Sequence, residues 1–187
     1  PTLKQPIADA RAWEREGKAT ITKRRTELDV AAQQAKVEEA RNKAIAIVGS
    51  FGNADSGEDS VKQAEEAVKA VNAALESGTE LTGRDRGYAA YDRELKKRVN
   101  EFNSKIANKK LQLHAADMRG KLTDALADAK AKIDAARQPI SGDKELDAAV
   151  KAVEGVNSFL ETNGPLEQQA GSYASAANKG RNELMKR

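Results

Sequence analysis

The sequence predicts an all-α protein: elongated tandem three-helix coiled-coil bundles that share one long, kinked, continuous helix. Three observations carry this. Among 187 residues there are 34 alanines, 33% charged residues and only 4 prolines, the composition of long helices. Shifted against itself by 85 positions, the chain aligns without a gap, and 11 of 33 positions between Gly57 and Ala89 are identical to their partners. Apolar residues recur at steps of three and four, which places them on one side of a helix.

The identical pairs are Gly57/Gly142, Ala64/Ala149, Ala67/Ala152, Val68/Val153, Val71/Val156, Asn72/Asn157, Leu75/Leu160, Glu76/Glu161, Leu81/Leu166, Tyr88/Tyr173 and Ala89/Ala174. Upstream the match thins to Ile21/Ile106, Leu28/Leu113, Ala44/Ala129 and Ser56/Ser141. Unit one is therefore assigned to 6–90, unit two to 91–175, and 176–187 begins a further segment. The chain opens on Pro1 and closes on Leu184-Met185-Lys186-Arg187, still in helical pattern. It is expected to be a slice of a longer protein, with no signal peptide in view.

Each unit reads as three helices. The first of unit one runs from Pro6 to Ser50. The middle helices carry the clearest seam: Val61, Ala64, Val68, Val71 and Leu75, and in the copy Leu146, Ala149, Val153, Val156 and Leu160. Ser56 and Ser141 precede them as expected N-caps, because a serine hydroxyl can accept the free N–H groups of a first turn. The third helices begin near Leu81 and Leu166, with Gly78-Thr79 and Gly164-Pro165 as start signals. No proline falls between Pro6 and Pro139, and Tyr88, Leu95, Val99, Phe102, Ile106 and Leu113 continue one stripe. The third helix of unit one is thus expected to run to Arg137, about 57 residues or about 85 Å. Loops are expected at 49–59, 77–82, 137–144 and 162–165. The stripe slips phase once per unit: Ile106, Leu113 and Ala116 give way to Met118, Leu122, Ala125, Ala129 and Ile133, and Ile21 and Leu28 to Val37, Ala40, Ala44 and Val48. A seven-residue seam absorbs such a slip by unwinding or bending, so kinks are expected near 31–36 and near 116–121, the latter at Gly120.

This pattern covers nearly the whole chain and resembles tandem three-helix coiled-coil repeats of two kinds. The short unit, the phase break, the alanine- and lysine-rich composition and the absent cysteines are similar to the kinked three-helix coiled-coil domains of colicin-like bacteriocins, the pyocins in particular. That resemblance implies binding to an outer-membrane protein receptor or an anionic surface glycan, in a secreted, extracellular toxin of bacterial origin. Spectrin-like repeats share the plan of a helix common to two units and imply a cytoplasmic scaffold. Their first-helix tryptophan signature does not recur here, since Trp13 maps to Arg98.

Several chemistries are excluded by residue supply. With no cysteine there is no thiolate metal site or disulfide, and one histidine makes no imidazole cluster. No apolar run is long enough to span a membrane. Catalysis needs titratable groups converging in a water-poor pocket, which thin helical bundles rarely offer, so no enzyme, cofactor or metal site is expected. Glu38-Glu39 and Glu65-Glu66 are sequence neighbours that diverge on a helix and read as solvated faces. His114 maps to Asp29 and reads as a surface or seam-edge residue. The loop 52–59 is acidic, but its glycine and glutamate are misplaced for a calcium loop. Gly83-Arg84-Asp85-Arg86-Gly87 lacks the strand and the Gly-Lys-Ser/Thr of a phosphate loop.

Charge and aromatics supply the candidate partner-binding residues. Residues 53–80 carry seven acids and two lysines, whereas 91–110 carry seven basic and three acidic groups. The first reading is pairing between adjacent helices. The second makes Lys23-Arg24-Arg25 and the matched Lys109-Lys110 a ridge for anionic sugar or phosphate. Nucleic acid is disfavoured, because the ridge lacks interleaved aromatics. Tyr88, Phe102 and Tyr173 sit on the seam and read as core. Trp13 and Phe51 have no aromatic counterpart in the other copy, which makes them candidates for partner contact as well as local packing.

Overall fold

The computed structural model describes residues 4–53, 56–138 and 142–186, with only the backbone described for 4–7. Among the described residues seven α-helices follow in order: α1 (Lys4–Gly49), α2 (Glu58–Ser77), α3 (Thr79–Arg84), α4 (Arg86–Ala136), α5 (Asp143–Thr162), α6 (Gly164–Gln169) and α7 (Gly171–Met185), with a 3-10 turn at Ser50–Gly52. The described residues include no strand, and the protein is all-α. It divides into two compact units, Pro1–Ile106 and Ala107–Arg187. The repeat boundary at 90/91 is one of many equivalent cuts, since a chain that maps onto itself by translation has no unique phase.

The duplication extends to the backbone. The starts of α2 and α5, of α3 and α6, and of α4 and α7 each lie 85 residues apart. The residues before them match in conformation: Gly57 (φ −98°, ψ −160°) and Gly142 (−112°, −173°), Gly78 (−99°, 4°) and Asn163 (−97°, 11°), Asp85 (−134°, 119°) and Ala170 (−134°, 99°).

In the first unit the whole predicted α2 seam is buried: Val61, Ala64, Val68, Val71 and Leu75. Val37, Ala44 and Val48 from α1, Leu81 from α3, and Tyr88, Leu95, Val99, Phe102 and Ile106 from α4 are buried too. Each fully buried valine or leucine contributes about 1.5–3 kcal/mol from apolar burial. In the second unit one core cluster joins Ala115, Leu122 and Ala129 of α4, Val156 and Leu160 of α5, Leu166 of α6, and Tyr173 and Ala177 of α7. Here two seam expectations fail. Leu146 is 53% exposed and Val153 only half-buried. The described α7 holds counterparts of 86–100 only, so no described residue stands where the buried Phe102 and Ile106 stand in the first unit.

Three further expectations are corrected. The third helix does not run unbroken from Leu81. A separate helix, α3, ends at Arg84, and the chain extends at Asp85 before α4 starts, so the long helix has 51 residues rather than about 57. Asp85 caps it, its Oδ1 accepting the Tyr88 N–H at 2.6 Å. The same break precedes α7 at Ala170, where no side chain can cap it. Second, Ser56 is not an N-cap: Gly57 holds that position, and the buried Ser56 hydroxyl donates instead to the Phe51 and Asn53 carbonyls. Ser141 lies outside the described residues. Third, the buried stripe of α4 resumes at Ala115, while Ala116 is exposed. Helical hydrogen bonding continues through 31–36 and 116–121.

Packing leaves no room for a side chain at Gly78. A Cβ at Gly78 would overlap the Tyr88 hydroxyl and lie 2.8 Å from Gln33 Cγ, whereas a Cβ at Gly120 meets nothing. Gly78→Ala should therefore destabilise the protein by about 1–3 kcal/mol through overpacking, and Gly120→Ala should stabilise it by about 0.5–1 kcal/mol through helix propensity. Urea unfolding of both variants checks this, and equal effects would contradict the packing at Gly78.

Candidate interaction surface

From Ala8 to Ala32, α1 has no buried residue. Trp13 is 79%, Ile21 66% and Leu28 56% exposed. Trp13 and Arg24 are eleven residues apart, about 16 Å along the axis. Lys23, Arg24 and Arg25 are all exposed, but consecutive helical residues diverge by about 100°. They wrap the helix instead of forming one ridge, and Arg24 donates to Glu27 at 3.0 Å.

The other candidates sit elsewhere. Phe51 is half-buried in the 3-10 turn, where its carbonyl accepts the Ser56 hydroxyl. Lys109 is half-buried and Lys110 exposed on α4. These lysines belong to the second unit, while Trp13, Lys23, Arg24, Arg25 and Phe51 belong to the first. The seven residues are thus not gathered in one unit. His114 is exposed, as expected for a surface residue.

A polar cluster among α1, α2 and α4 escaped the sequence reading, which placed Glu38 on a solvated face. Gln33 donates to the Ala74 carbonyl and, at 2.9 Å, to the Ser77 hydroxyl. The Tyr91 hydroxyl donates to Glu38 Oε1 at 2.9 Å, and Arg41 donates to Glu38 Oε2 at 2.6 Å. Asp92 is buried and accepts from Lys96 at 2.8 Å. Burial pushes the Tyr91 phenol well above its ordinary range, and the adjacent Glu38 carboxylate adds to the shift. The Tyr88 hydroxyl, Arg41 Nε and Asp92 Oδ1 are buried without a hydrogen-bond partner among the described residues. In the second copy the equivalent positions are Met118, Thr123, Leu126, Ala176 and Ala177 in place of Gln33, Glu38, Arg41, Tyr91 and Asp92. A position-by-position comparison of the copies carried this signal.

The second unit replaces the cluster with apolar packing and one strong pair. Leu126 packs so closely over Gly180 that a Cβ there would lie 2.9 Å from Leu126 Cδ1. Arg181 makes a bidentate ion pair with Glu167 across α7 and α6, one arm at 2.9 Å. Beside it Val153, Asn157, Leu160, Leu184 and Met185 line a shallow groove. Among the described residues, no group of three or more carboxylates or histidines is placed to hold a metal ion. No helix among them is long and apolar enough to cross a membrane. No family model, curated protein or solved structure matches the chain.

The Arg181 hydrogen bonds hold the Glu167 carboxyl below its ordinary value. A lowered carboxyl contributes stability above the unfolded-state pKa and loses it as pH falls through the folded value. Glu167→Gln should therefore melt lower than the parent near pH 7, with the gap closing as pH drops toward about 3. Thermal melts across that range check this, and a gap independent of pH would contradict it.

Proposed function

We propose that this protein is a non-enzymatic binding and spacing module, the receptor-binding and translocation region of a secreted bacteriocin-like toxin. Its partner is a protein receptor or an anionic surface glycan. The observation that carries this reading is Trp13: a large aromatic side chain, 79% exposed, on a stretch of α1 without a buried residue. Exposed tryptophan is costly to keep in water and is enriched at binding hot spots. The exposed Lys23, Arg24 and Arg25 farther along the same helix supply charge for an anionic ligand. The mechanism is passive, with helices displaying an epitope. The duplicated backbone supports a second reading, a spectrin-like cytoplasmic scaffold joining other proteins, in which the same stripes would recur in further copies.

The deciding experiment is surface plasmon resonance of the immobilised chain against bacterial outer-membrane vesicles. Binding is expected, and Trp13→Ala or the triple variant K23A/R24A/R25A should weaken it by about 10- to 100-fold. Absence of binding, or binding indifferent to both variants, overturns the toxin reading.

A further inference from the structure

We infer that the outer stretch of α1 pairs antiparallel with the same stretch of a second copy of this chain, forming a two-fold symmetric dimer. The corresponding stretch of α4, 85 residues on, buries Leu95, Val99, Phe102 and Ile106, whereas Ile21, the counterpart of Ile106, is 66% exposed. The α1 face is one stripe of alternating steps: Ala10, Glu14, Gly17, Ile21, Arg24, Leu28 and Ala31. It resolves into two columns. Glu14, Ile21 and Leu28 are long, and Ala10, Gly17 and Ala31 are short, with Arg24 the exception.

Two such stripes fit in one register. With Gly17 opposite Ile21 of the second copy, Leu28 falls opposite Ala10 and Glu14 opposite Arg24. By symmetry each contact occurs twice. Every large apolar residue meets a small one, which lets the helices approach closely. The one acid of the stripe meets its one base. A parallel arrangement would instead set Glu14 against Glu14 and Arg24 against Arg24. The present partners do not compete strongly, since Lys18–Glu14 at 2.6 Å and Arg24–Glu27 at 3.0 Å are exposed pairs of little net worth. One edge of the dimer carries Arg11, Lys18 and Arg25 from both copies, a repulsion that salt screens. The dimer needs no receptor, so its test is separate from the vesicle experiment.

Sedimentation equilibrium of the full chain at roughly 0.15 M salt, from about 1 µM to about 1 mM, should show a concentration-dependent dimer. Ile21→Asp should leave a monomer whose circular dichroism is unchanged, because Ile21 is 66% exposed in the single chain. Glu14→Arg and Arg24→Glu should each weaken the dimer by at least about tenfold, and the double variant E14R/R24E should recover to within about threefold of the parent. A parent that stays monomeric throughout, a dimer unaffected by Ile21→Asp, or a double variant weaker than either single one overturns the proposal.

Discussion

A helix can bury only what lies along its stripe, and here the stripes are thin: alanine, valine and leucine, with few rings. The core of each unit therefore depends on the large side chains that do enter it. Tyr88 and Tyr173 are the largest, fully buried at the start of α4 and α7. Around Tyr88 the chain is fitted closely: Gly78 yields space for its hydroxyl, and Gln33 runs alongside with its amide spent on Ala74 and Ser77. Burial raises both phenols above their ordinary range, which keeps the rings neutral. An ionised phenolate would be a buried charge with no cation committed to it.

The two copies solve the same backbone problem with different chemistry. The first unit has Glu38 and Arg41 on α1 and Tyr91 and Asp92 on α4, and at the matched positions the second has Thr123 and Leu126 on α4 and Ala176 and Ala177 on α7. A half-buried polar cluster is a weak source of stability compared with apolar packing of the same volume. It does restrict which helix fits which. The contrast between Leu126 on Gly180 and Arg41 near Tyr91 and Glu38 means that helices of one unit are poor substitutes for those of the other.

The sequence disclosed the α2 seam because its spacing is strict and its residues are valine, leucine and one alanine. It disclosed the duplication because Val, Asn, Leu and Tyr pairs share one register. It did not disclose the break at Asp85. Leu81 and Tyr88 are seven residues apart, so an unbroken helix would also set them on one face, and the apolar pattern is the same either way. The capping aspartate was the available signal, and its absence at Ala170 shows that tertiary packing holds the break without it. The exposure of Leu146 was hidden for a different reason. Repetition copies residue types, not the neighbours that cover them. Among the candidate surface residues, composition located Trp13, but which side chains wrap or share a face emerged only with the helix in place.

Trp13 is the single tryptophan of the chain, and it resides far along α1 from Gln33, the first buried residue among those described. The intrinsic emission of the protein is therefore an observer posted outside both cores. Loss of either core reaches it only through fraying of its own helix, and the tyrosine band, from Tyr88, Tyr91 and Tyr173, is the optical window onto the interior.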